Sequence, residues 1–173
     1  MKKGLLMVFT GNGKSKTTAA IGQALRAVGH GFKVCFIQFI KGSWKYGELT
    51  AAERFKDLLE WHVLGRGFTW KSDNLAKDIE VARKAWDFAK EIISSGRFQM
   101  VILDELTYLI TYKMVSETEV LQILESRPEH VHVIITGRDA TQSLIDAADL
   151  VTEMKEIKHP FHEGIKAQRG IEF

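Results

Sequence analysis

The chain has one cysteine and two prolines among its 173 residues, a formal net charge of only +2, and no apolar run near the roughly 20 residues that a membrane span needs. A single cysteine excludes an intrachain disulfide and fits a reducing compartment, so a cytoplasmic location is expected. Cys35 lies in the apolar run Val34-Cys35-Phe36-Ile37, which suits a small buried core residue better than a nucleophile. The small net charge gives no bulk attraction to nucleic acid, although Lys14, Lys16 and Lys41 could focus positive potential locally. Met1-Lys2-Lys3 is basic, but the apolar run after it ends within five residues and gives way to glycines. It reads as a first strand and not as a signal peptide. Apolar content of 45% and charged content of 27% describe an ordinary globular chain, and the length suits one domain spanning residues 1–173.

What is present is a glycine- and lysine-rich loop in a telling place. Thr10-Gly11-Asn12-Gly13-Lys14-Ser15-Lys16-Thr17-Thr18 follows the apolar run Leu5 to Phe9 and precedes a helix-like stretch from Ala19 to Val28. Small residues let successive backbone N–H groups turn toward one anion, and the helix N-terminus adds its positive end. Lys16 supplies a point charge for phosphates, and Thr17 can offer its hydroxyl to Mg²⁺. Thr10 and Ser15 stand where the usual eight-residue pattern has glycine, so a surface turn is the alternative. About ninety residues later Met100-Val101-Ile102-Leu103 reads as a buried strand ending in Asp104-Glu105. This places carboxylates at the C-terminal edge of a sheet, where open α/β folds bind ligands. Asp104 is expected to hold Mg²⁺ directly or through water, and Glu105 to orient a water, position a loop or accept a hydrogen bond from a ligand of the ion.

The rest of the chain alternates strands and helices. Strands are expected at Lys33–Ile40, Trp61–Leu64, Val131–Thr136 and Leu150–Glu156. Helices are expected at Leu49–Leu58, from Ser72 or Asp73 onward with a stripe of Leu75, Ile79, Ala82, Trp86, Ala89 and Ile93, after a capping box at Ser116–Glu119, and at Ala140–Ala148. The pattern predicts an α/β, P-loop NTPase-like three-layer fold, a mainly parallel sheet with helices on both faces. A flavodoxin-like sheet is the competing architecture, but it has no need of Lys16, Thr17, Thr18 and the later acidic pair. Gly65-Arg66-Gly67-Phe68-Thr69-Trp70 sets two large aromatics between glycines and a polar segment. On the letters alone these suit a dimer contact or a satellite core cluster. His159 and His162 lack an evident third metal ligand, and His130 and His132 read as structural.

The chain resembles the P-loop corrinoid adenosyltransferases, which act on cob(I)alamin or cob(I)yrinic acid a,c-diamide. The likeness runs from Gly4 to Phe173. It is carried by Thr10 to Thr18, Ala27 to Gly31, Gln38-Phe39-Ile40-Lys41-Gly42, Gly67 to Trp70, Leu103 to Tyr108, Ile134 to Arg138, and the tail Lys158-His159-Pro160-Phe161 with Gly164 to Gln168. The resemblance implies transfer of the 5′-deoxyadenosyl group of ATP to reduced cobalt with release of triphosphate. ATP and Mg²⁺ (or Mn²⁺) would accompany the corrinoid, with ATP lying in the sense opposite to that usual in P-loop proteins. It further implies a homodimer and an electron donor of the flavoprotein kind, with no role for nucleic acid or membrane.

Carried over by position, Gly11, Asn12, Gly13, Lys14, Ser15, Lys16, Thr17 and Thr18 form the ATP loop, with Lys41 and Arg138 also near ATP. Lys16, Thr17 and Glu105 are the expected catalytic residues, and Thr17 and Asp104 the metal residues. Phe68 and Trp70 face the corrinoid, where an apolar wedge would displace the lower axial ligand and leave four-coordinate cobalt. Arg138 follows a strand at a height to reach phosphate, with Asp139 expected to orient it. The tail is expected to line the corrinoid site or bind a neighbouring subunit. Two departures stand out. Ser15 replaces the family's usual glycine, bringing strain if the position needs positive φ. Several family members also carry an N-terminal extension over the site, whereas here the first strand begins almost at Met1. Shielding is then expected from another segment, the partner subunit or the substrate. Rival readings are a P-loop ATPase or small-molecule kinase, a nucleotide-dependent corrinoid carrier or regulator, and a nucleic-acid motor.

Overall fold

The computed structural model describes residues 3–42, 46–67 and 75–172. Six strands form one sheet: β1 (Leu6–Thr10), β2 (Val34–Gln38), β3 (Leu59–Val63), β4 (Met100–Asp104), β5 (His132–Thr136) and β6 (Leu150–Glu153). Their order is β3-β2-β4-β5-β1-β6, and every neighbouring pair is parallel. Parallel neighbours need crossovers, which α1 (Lys16–Gly29), α2 (Gly47–Ala52), α3 (Leu75–Ser95), α4 (Leu106–Thr111), α5 (Glu117–Glu125) and α6 (Gln142–Ala147) provide.

Side-chain alternation along the central strands divides the interior into two cores. Leu6, Val8, Cys35, Ile37, Val101, Leu103, Val133 and Ile135 pack under α3, α4, α5 and α6. Met7, Val34, Phe36, Met100, Ile102 and Ile134 pack under α1, through Ala20, Ala24, Ala27 and Val28. Both faces are therefore covered, which is why β2 and β4 are apolar almost throughout. This is the three-layer P-loop NTPase-like architecture expected from the sequence. Cys35 is a core residue, and burial pushes its thiol up to about 12, where it is no nucleophile at neutral pH. No helix among the described residues is long and apolar enough to cross a membrane.

Several local expectations change. The helix foreseen at 49–58 is α2 followed by a 3-10 turn at Glu53–Phe55, and the last strand ends at Glu153. Leu75 is 61% exposed, because the core ends one turn before the apolar period does; Ala85 and Ile92 complete the buried stripe instead. Helix α5 starts after Ser116 as anticipated, yet Ser116 makes no side-chain cap. Glu119, the other half of that capping box, is drawn to Lys90 at 2.8 Å and Arg83 at 3.6 Å. The proposed caps Ser72 and Asp73 lie outside the described residues. His130 and His132 are structural: the first meets the Gly96 carbonyl at 3.0 Å, and the second accepts from the Leu5 amide at 3.1 Å.

Candidate active site

The C-terminal ends of β1, β4 and β5 meet the N-terminus of α1 at one edge of the sheet, beside a cleft of about 910 Å³. Thr17, Lys41, Asp104, Glu105 and Arg138 all line it, although they are spread over most of the chain. Strand β1 delivers the glycine loop into α1. Gly11 has φ 97°, and a Cβ there would lie 2.4 Å from the Met154 carbonyl oxygen, so the close approach of the segment after β6 requires glycine. That segment also accepts the Gly13 amide at Met154, 2.7 Å away. Lys16 is 7% exposed, with its ammonium donating to the Gly11 and Gly13 carbonyls at 2.8 Å each. Burial, opposed by Glu105, lowers its pKa below the ordinary lysine value.

Asp104 is the hub of the edge. Thr17 Oγ1 donates to its Oδ1 at 2.8 Å, Thr136 Oγ1 to the same oxygen at 2.7 Å, and Gln38 Nε2 to Oδ2 at 3.0 Å. Three donors thus satisfy a carboxylate that is 1% exposed. Glu105 turns left-handed at φ 64°, and its amide donates to Thr136 Oγ1 at 3.0 Å. Such backbone conformations in non-glycine residues gather at ligand sites. Burial first, and then the Asp104 charge, raise the Glu105 carboxyl above its ordinary pKa.

The other expected residues divide by location. Lys41 reaches the cleft, but its ammonium is 2.6 Å from Glu48 and 4.1 Å from the centre of the Tyr46 ring. Arg138 faces the cleft after Gly137, where a Cβ would come within 2.0 Å of Thr107 Oγ1. Asp139 does not pair with it among the described residues; instead the turn at φ 52° leads to Ala140, whose amide donates to Thr10 Oγ1 at 3.2 Å. Phe68 and Trp70 lie outside the described residues.

Some residues at the edge were not assigned roles from sequence. Gln38 ends an otherwise apolar strand in register with Asp104, and that lone polar terminus was the available signal. Trp61 and Thr136 become partners only through strand order. From the tail, Ala167 and Glu172 line the cleft, and Glu172 holds Lys14 at 2.8 Å, so the C-terminal segment closes one side of this site.

Ser15 has φ 82° and ψ 6°, and its hydroxyl caps nothing. A left-handed conformation costs a non-glycine residue about 1–2 kcal/mol, of which the extra freedom of glycine in the unfolded chain would offset part. Ser15→Gly is therefore expected to stabilise the protein by about 0.5–1 kcal/mol and raise Tm by a few degrees. ATP affinity should stay equal or increase. Thermal unfolding with and without MgATP checks this, and a lower Tm for the variant would refute it.

The comparisons with known proteins agree with this geometry. The ATP:corrinoid adenosyltransferase BtuR/CobO/CobP family matches residues 2–173. A corrinoid adenosyltransferase of Sinorhizobium sp is 47% identical, covering 99% of this chain and 81% of the relative. Those of Escherichia coli K12 and Salmonella typhimurium are 45% and 44% identical, each covering 99% of this chain and 87% of the relative. With a glycine loop joined to a strand-end carboxylate and a family match over nearly all of its length, the chain belongs to the ATP:corrinoid adenosyltransferase family.

Proposed function

We propose that this cleft binds MgATP with its triphosphate on the loop from Gly11 to Thr18 and presents the ribose 5′ carbon to the cobalt(I) of a corrinoid. The observation that carries the placement is the 2.8 Å bond from Thr17 to Asp104, which joins the two halves of a metal-phosphate site at the cleft wall. The reaction is adenosyl transfer from ATP to the corrinoid, leading to adenosylcobalamin or its precursor. The cobalt(I) electron pair forms the cobalt–carbon bond, the ribose carbon–oxygen bond breaks, and its pair departs with triphosphate. The nucleophile carries no proton, so no general base is required.

Catalysis by the protein then consists of placing the two reactants and stabilising charge on the leaving chain. Lys16 supplies a buried cation and the start of α1 supplies N–H groups, with Arg138 positioned at the cleft to add a second cation. Thr17, Asp104 and Glu105 present only oxygen donors, a set that fits Mg²⁺, which commonly takes one or two carboxylates with phosphates and water. When bound, the ion supplies positive charge to the triphosphate. Incubation with MgATP and chemically reduced corrinoid should yield an adenosyl–cobalt product and one triphosphate per turnover. Formation of only ADP and phosphate would instead indicate a kinase or ATPase.

Phe68 and Trp70 are the proposed corrinoid wedge, on the family resemblance. Replacing both with alanine should spare ATP affinity and deplete four-coordinate cobalt(II) in the presence of MgATP, with adenosylation falling at least tenfold, the equivalent of about 1.4 kcal/mol. Electron paramagnetic resonance of the cobalt reads this directly; an undiminished four-coordinate population would return the pair to a packing role. The reading includes a single domain spanning 1–173, a cytoplasmic homodimer and a flavoprotein-type reductant. Ile157, Phe161 and Ile171, all more than 70% exposed on the tail, support the contact between copies, which sedimentation can test.

A further inference from the structure

We propose that Gln38 and Trp61 are positioning residues that lock Asp104, and through it the Thr17 hydroxyl, in the arrangement that receives a divalent cation with triphosphate. The proposal rests on the reading of Thr17 and Asp104 as the metal pair, but it concerns residues that line no part of that cleft.

Strand register assembles the relay. Trp61 lies beside Phe36, and Gln38 lies beside Asp104, on parallel neighbours. Residues two apart on a strand share a face, so all four side chains lie on the face covered by α1, which carries Thr17. The Trp61 ring stacks on fully buried Phe36 at 4.0 Å and 5°. Its indole N–H donates to Gln38 Oε1 at 3.0 Å.

That bond decides which way the glutamine amide faces. An indole nitrogen can only donate and an ionised carboxylate can only accept, so Oε1 must face Trp61 and Nε2 must face Asp104. The opposite orientation would set oxygen against carboxylate and N–H against N–H. Gln38 is 0% exposed, so bulk solvent does not reach the amide to offset the wrong orientation. With Oδ2 held by Gln38 and Oδ1 by Thr17 and Thr136, the Asp104 carboxylate is restrained from rotating. Thr17 has committed its only hydroxyl hydrogen to Asp104, so what it offers a ligand is a lone pair. The hydroxyl is set for a cation before nucleotide arrives.

The test uses Trp61→Phe, which keeps the stacked ring and deletes the N–H, and Gln38→Met, which keeps the length and deletes the amide. Mn²⁺ binding to the full chain in the presence of ATP is measured by electron paramagnetic resonance. Binding of ATP in EDTA, binding of cobalt(II) corrinoid and thermal stability are measured in parallel. Trp61→Phe should weaken Mn²⁺ about three- to tenfold, and Gln38→Met should weaken it more, consistent with losing one or two buried hydrogen bonds. Metal-free ATP and corrinoid binding should be unchanged. A lowered Tm with unchanged Mn²⁺ affinity in Trp61→Phe would make the pair a mere structural pillar and overturn the proposal; that variant decides the matter if Gln38→Met does not fold. Thr17→Val separates the two layers of inference. If it also leaves Mn²⁺ binding intact, the metal assignment fails together with the proposal. If it abolishes binding while Trp61→Phe has no effect, the relay alone is wrong.

Discussion

Lys16→Ala is expected to lower adenosylation at saturating ATP by roughly 10²- to 10³-fold, a loss of about 3–4 kcal/mol in transition-state stabilisation. The expectation follows from the bond that breaks. In a transfer to cobalt the whole triphosphate departs, so negative charge grows on the chain nearest the loop. Lys16 is buried at the base of that loop, where a point charge is poorly screened. Desolvation lowers its pKa, so the free protein already holds the cation at a cost that an anionic ligand would relieve. The alanine variant should therefore lose rate more than fold stability, because it also removes a costly buried charge. Corrinoid binding should change little. Rates at saturating ATP, alongside separate binding titrations for ATP and cobalt(II) corrinoid, distinguish these effects. An unchanged rate would refute the assigned role.

The parts of this site that were legible in the sequence are those whose partners are close along the chain or whose pattern is regular. Gly11 to Thr18 run without interruption from the end of β1 through a short loop into the first turn of α1, and Asp104 ends a five-residue strand that is buried throughout. The near-continuous apolar runs implied a parallel sheet covered on both faces, which the two separate cores explain. Periodicity overreached at Leu75, since an amphipathic pattern does not mark where the sheet beneath it stops. The capping box at Ser116 failed for a different reason: Lys90 on α3 competes for Glu119, and a tertiary ion pair prevailed over a local cap. The relay from Trp61 through Gln38 to Asp104 depends on β2 lying between β3 and β4. That order is not written in spacing, and neither is the meeting of Lys14 with Glu172, which are 158 residues apart. The left-handed backbone of Ser15 was foreseen only as a condition, and its φ of 82° makes the departure from glycine a source of strain.

The remaining large effect is at the hub. Asp104→Asn is nearly isosteric, yet it is expected to destabilise the protein by about 1–3 kcal/mol and to weaken Mn²⁺ binding in the presence of ATP by at least tenfold. In the native arrangement both carboxylate oxygens accept, two hydroxyls at Oδ1 and the Gln38 amide at Oδ2. An asparagine can offer only one oxygen. If that oxygen keeps Thr17 and Thr136, its NH₂ confronts the NH₂ of Gln38. Should Gln38 turn over to accept, its own NH₂ confronts the indole N–H of Trp61, which cannot accept. If the asparagine turns instead, the NH₂ faces the two threonine hydroxyls, and the Thr17 oxygen becomes an acceptor toward the protein and no longer toward a cation. Every arrangement leaves a mismatched buried pair or a misdirected Thr17, so stability and metal binding should fall together. Lys16→Ala should leave the fold largely intact, which separates the charge that acts on triphosphate from the carboxylate that organises the edge. Urea unfolding and Mn²⁺ titration of the same preparation provide the check. A variant with native stability and native metal affinity would show that the hub can exchange an acceptor for a donor, contrary to the geometry of its three partners.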